Sequence, residues 1–146
     1  MFTYRIISFT TDNINKFKSS LLQISDSDNT QLFHEVVVAN EAAQKSYVVG
    51  TVLGKVTATG KYKIAVETAV DGSKAPVAIV VGDSFGTAAP FTVAATTDTN
   101  VLALARGKVT VSLGALVLDS TYNDATKKQA AYDSLKSVGI LVQATA

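Results

Sequence analysis

The chain has 146 residues, of which 47% are hydrophobic and 17% charged, so it can bury a core as one domain and is neither disordered nor a multidomain enzyme. Thirteen Lys and Arg against twelve Asp and Glu leave a net charge of +1, which argues against a basic nucleic-acid-binding module and against attraction to an anionic membrane. With no cysteine and a single histidine, His34, there is no material for a disulfide framework, thiolate catalysis, a sulfur-ligated metal or a two-histidine site.

At the N-terminus Phe2, Tyr4 and Ile6 alternate around Arg5, the pattern of a short strand, with no apolar run of signal-peptide length. Thr11 and Asp12 then stand as cap-like residues before Ile14, Phe17, Leu21 and Ile24, which recur at helical spacing. The polar string Ser25 to Thr30 follows, and composition changes there toward Ala, Val, Thr and Gly. Residues 1–30 are therefore expected to form a strand–helix arm and residues 31–146 a β-rich domain. An arm of about thirty residues cannot bury both faces of such a unit alone, so its apolar stripe rests either on its own domain or on another chain.

From Leu32 to Leu118 short β-branched runs alternate with turn signals, an all-β pattern. Leu32 to Ala39 is expected as one strand, and Tyr47 to Thr59 as another with a bend at Gly54. Thr59-Gly60 is expected to turn a hairpin between Lys55–Ala58 and Lys61–Thr68, and Asp71-Gly72 to make a second turn. Pro76 to Val81 is apolar at consecutive positions, as in a central strand buried on both faces. Strands at Phe91–Ala95, Val101–Ala105 and Lys108–Leu113 complete the series, the last two separated by a tight turn at Arg106-Gly107, and the Thr-rich stretch from Thr87 to Thr99 is otherwise polar loop.

The final element is a helix capped by Asn123 or Asp124, with Ala131, Leu135 and Val138 on one face and Gly139-Ile140 as a Schellman stop. Lys127 and Lys128 lie near the end where the helix dipole disfavours cations. Ile140 to Gln143 can return as an edge strand. No run of about eighteen apolar residues occurs, so the chain is expected to be soluble, without a membrane partner.

Two stretches imitate catalytic motifs. Ala78 to Phe85, with Gly82-Asp83-Ser84, resembles the nucleophile block of GDS-type esterases, but the only histidine precedes the serine in sequence, and a Gly-Asp-Ser turn after a core strand explains the residues. Gly50 to Thr57 imitates a phosphate loop, yet it has three residues between its glycines, Val56 after the lysine and no following helix. The carboxylates are scattered and the aromatics are not interleaved with Lys and Arg, so neither a calcium loop nor a base-stacking platform is expected. No catalytic residue, metal ligand or cofactor is expected.

Tyr47 to Tyr62, with Gly50-Thr51-Val52-Leu53-Gly54 and Thr59-Gly60-Lys61, then Asp71-Gly72-Ser73 and Ala75 to Val81, resembles the lambda-type bacteriophage head decoration proteins. Val117-Leu118, Asp124 to Lys128 and Leu135 to Ile140 continue the similarity, which covers roughly residues 36–143 and leaves out residues 1–30. The resemblance implies a mainly β (α+β) domain with a β-clip-like core, short strands and hairpins, and one C-terminal helix. It also implies homotrimers on the outer surface of the virion capsid at threefold positions, clamping the major capsid protein after expansion against the pressure of packaged DNA. Catalysis, direct nucleic-acid contact and membrane contact are not implied.

In that family the segment before the domain pairs with capsid chains by strand addition. Phe2, Tyr4 and Ile6 are accordingly expected to offer a strand edge to capsid protein or a neighbouring copy, and Ile14, Phe17 and Leu21 to pack on a neighbour. The alternative is a phage tail, fibre or surface adhesion β module that binds through the Thr87 to Asn100 loop.

Overall fold

The structure, a computed structural model, describes residues 22–23, 33–87, 89–106 and 109–144. Ten strands are described: β1 (Leu22–Gln23), β2 (Phe33–Ala39), β3 (Lys45–Tyr47), β4 (Val52–Lys55), β5 (Tyr62–Ile64), β6 (Pro76–Asp83), β7 (Phe91–Val93), β8 (Thr99–Arg106), β9 (Val109–Ser112) and β10 (Ile140–Gln143). One α-helix, α1 (Ala125–Ser137), precedes β10. The order β2-β5-β4-β6-β8 closes into a barrel, β1-β9-β10 forms a three-stranded sheet, and β3 pairs with β7.

The expected central strand is β6, antiparallel to both β4 and β8. Its apolar residues at consecutive positions are explained by two separate cores. Ala78 and Val80 point into the barrel with Val37, Leu53, Val101 and Ala103. Ile79 and Val81 point outward, where Leu102, Leu104, Val111, Leu135 and Ile140 join them beneath α1 and the three-stranded sheet. A strand's side chains alternate between its faces, so one eight-residue strand serves both cores. Tyr47 and Val93 bring β3 and β7 onto the barrel's interior cluster, with the Tyr47 and Phe91 rings 5.7 Å apart.

Barrel closure is thinnest between β2 and β5, which share one parallel register pair, Ala39 with Tyr62. Side chains reinforce that seam. Lys61 lies 2.9 Å from Asp98, and the Asn40 amide donates to the same carboxylate at 2.6 Å.

The β4–β5 hairpin forms as expected, with Gly60 in the left-handed region at φ +71° and the Val56 amide donating to the Lys61 carbonyl at 2.8 Å. The strand expected from Tyr47 to Thr59 is instead divided, because Gly50 turns the chain between β3 and β4, which belong to different sheets. Gly50 has φ +95° and passes so close to Ala115 that a Cβ would lie 1.9 Å from its carbonyl oxygen. Gly54, the expected bend, sits at a register shift within β4. Phe91–Val93 is a short strand as expected, so the Thr-rich stretch is partly paired rather than free loop.

β9 does not pair with β8; it lies between β1, antiparallel, and β10, parallel. β10 is thus an edge strand, as its sequence allows. Leu22–Gln23 is strand rather than the end of a helix running to Ile24, since it pairs with the side of β9 that β10 leaves open. The rest of the expected strand–helix arm lies outside the described residues.

Asp124 is the N-cap of α1, its carboxylate accepting from the Lys127 amide at 2.8 Å, and that bond foremost holds its pKa below the ordinary value. Lys127, at the unfavourable end of the dipole, is compensated by donating to Asn123 Oδ1 at 2.9 Å. Gly139, at φ +92°, ends the helix, its amide donating to the Lys136 carbonyl, and Ile140 is fully buried.

Candidate assembly surfaces

The structure separates the residues of the esterase-like motif. His34 pairs with Leu104, and Leu104 with Ile79, five residues along β6 from Ser84. Two strand spacings and five strand residues place the two backbones roughly 19 Å apart. Ser84 sits in a turn whose Asp83 carboxylate is committed to the backbone, accepting from the Phe85 and Thr87 amides at 3.0 and 2.9 Å. The phosphate-loop look-alike runs from a turn into β4, with no helix behind it. Among the described residues, no three His, Asp or Glu side chains gather as a metal site. No described helix is long and apolar enough to cross a membrane.

The polar groups that are held tightly brace the scaffold. Glu41 is 5% exposed and accepts from the Tyr47 hydroxyl and the Ile64 amide, each at 2.7 Å, tying β3 and β5 to the second residue after β2. Burial foremost, and then Glu41, push the Tyr47 phenol well above its ordinary pKa, so it stays protonated and donating. Asp71 accepts from Lys63 Nζ at 2.8 Å and from the Ser73 hydroxyl and amide. These bonds, Lys63 first, hold its carboxyl well below the usual range. The Tyr122 hydroxyl donates to the Lys74 carbonyl and joins the chain just before α1 to the start of β6; its pKa is pushed up to about 12, chiefly by burial.

What the scaffold presents outward is apolar in several places. On the outer face of β2, Val36 is 55% exposed and Val38 stands beside it. At the far end of β6, Phe85 is 83% exposed on the turn braced by Asp83, with Gly86 in the left-handed region. At the near end of β6, a groove of about 410 Å³ opens between Pro76, Tyr122 and the α1 residues Ala130 and Ala131. Glu67 and Gly72 line its rim, and Val70, fully exposed, lies between them in the chain.

The expected contact residues Phe2, Tyr4, Ile6, Ile14, Phe17 and Leu21 all lie outside the described residues. The sequence reading missed Phe85 and the groove. Phe85 was detectable in principle, as an aromatic placed between turn residues where a core role is impossible. The groove was not, since it joins β6 to a helix about fifty residues later.

These exposed apolar surfaces are of the kind that assembly uses. No curated protein matches the chain. The family model described as bacteriophage lambda head decoration protein D matches residues 16–140. The match begins within the arm that the sequence resemblance had left out and takes in the barrel, the three-stranded sheet and α1. The chain belongs to the bacteriophage lambda head decoration protein D family, a structural component of the phage capsid.

Proposed function

We propose that the chain is a cement protein that binds the outer surface of the expanded phage head as homotrimers and stabilises the shell against the pressure of packaged DNA. The observation that carries this reading is the family match across residues 16–140, which spans both cores. Its physical support is a scaffold suited to a mechanical role. A closed barrel has no free edges, and its central strand is fixed by packing on both faces. The sparse charge, 17% of residues, leaves neutral and small side chains for close subunit contacts.

Within this reading, residues before β1 make the shell contact. Phe2, Tyr4 and Ile6 add a strand to capsid protein or a neighbouring copy, and Ile14, Phe17 and Leu21 pack against a neighbour. β1 pairs with β9 of the same chain, which anchors the chain to its own domain at Leu22–Gln23. Removing residues 1–20 spares β1 and both cores, so the shortened chain should fold with unchanged thermal stability and lose shell binding. Undiminished shell affinity would refute the arm contact. Heads carrying the full chain should retain packaged DNA on warming to temperatures at which undecorated heads release it. Equal release from both would refute cementing.

A further inference from the structure

The homotrimer proposed above imposes a geometric demand. A threefold contact is heterologous: each copy must present two different surfaces that fit one another, whereas a twofold contact uses one surface twice. The described residues offer such a pair. Phe85 projects on a turn fixed by Asp83, and the groove beside Pro76 and Tyr122 is lined mainly by apolar atoms.

We infer that Phe85 of one copy inserts into the groove between β6 and α1 of the next, and that three such contacts close the ring. Phe85 lies two residues beyond Asp83, the last residue of β6, and Pro76 is its first, so about 23 Å of strand separates knob from groove and neither can satisfy the other within one chain. The groove's 410 Å³ exceeds what one phenyl ring needs. The knob needs little ordering on binding. Asp83 already holds the Phe85 and Thr87 amides, and the Asp83 amide donates back to the Thr87 carbonyl at 3.2 Å. The charged groups near the contact are already partnered within the chain, Lys74 with Glu67 at 3.1 Å, Lys127 with Asn123 and Asp124, and Asp83 with its own turn amides, which leaves the contact to apolar surface. An exposed aromatic entering an apolar pocket is the usual form of an interface hot spot.

The inference rests on the trimeric reading, and its test separates the two. The chain has no cysteine, so the variant carrying both Ser84→Cys and Ala130→Cys keeps Phe85 and has thiols only at the exposed residue beside the knob and at the exposed groove residue Ala130. A short bismaleimide is added to the full chain, both concentrated in solution and after incubation with expanded shells. A covalent trimer in either condition, absent from each single-cysteine variant, is the expected result. No cross-link in either condition, or an open ladder of larger products, overturns the contact. Shell binding by the unaltered chain is measured in parallel, so that a failed cross-link with intact binding rejects the contact alone. Phe85→Asp, which touches neither core, should weaken self-association by at least about 30-fold in sedimentation velocity. Unchanged association of that variant also overturns the proposal.

Discussion

Glu41 is a carboxylate buried at the end of a β-barrel, and nothing in its sequence context marks it. Two donors from separate strands converge on one of its oxygens, so truncation strands both of them. Glu41→Ala should lower stability by about 2–4 kcal/mol, and Glu41→Gln by less because the amide oxygen still accepts. Urea denaturation of the two variants checks this, and equal losses would mean that packing rather than the hydrogen bonds matters. Asp71 acts in a different pH range. Its folded carboxyl ionises at lower pH than an unfolded one, so its stabilisation is complete above the unfolded value of about 3.9 and is lost as pH falls through the depressed folded value. Asp71→Ala should therefore be less stable than the parent at neutral pH, with the difference shrinking steadily below about pH 4. Because Lys63 and Asp71 are partly open to solvent, the neutral-pH difference should be only about 1 kcal/mol. Denaturation curves at pH 7 and pH 2.5 give the comparison.

Elements whose partners are local were legible from the sequence. The β4–β5 hairpin declared itself through Thr59-Gly60, α1 through its Asp124 cap and Gly139 stop, and β6 through apolar residues at consecutive positions. Elements decided by distant chain were not. The break at Gly50 depends on the approach of Ala115, more than sixty residues later, and the choice of β1 and β10 as partners for β9 leaves no mark in the local period. Leu22 continues an apolar pattern with helical spacing, yet the open side of β9 takes it as strand, a case of tertiary context overriding local preference. Gly50→Ala tests how firmly that crossing is built. The left-handed φ adds about 1–2 kcal/mol and displacement of the Ala115 carbonyl about 1–3 kcal/mol more, so the variant should be destabilised by several kcal/mol in thermal and urea unfolding. A loss under 1 kcal/mol would mean that the chain passes Ala115 less closely than described.

At the scale of the molecule, low charge and abundant small apolar residues narrowed the possibilities to a neutral structural module, and the ordered set of strand and turn residues pointed to the decoration family. The assembly surfaces were beyond the sequence's reach. An exposed Phe85 and a groove at the opposite end of β6 become a pair only once the strand between them is placed. Two cores sharing β4, β6 and β8 pack the barrel, the three-stranded sheet and α1 against one another, which supports the cementing role proposed for the chain. The most direct test is co-sedimentation of the purified chain with immature and with expanded heads of its own phage, counting copies bound per capsid subunit. Saturation near one copy per capsid subunit on expanded heads, with no binding to immature ones, is the predicted result. Failure to bind expanded heads would contradict the account.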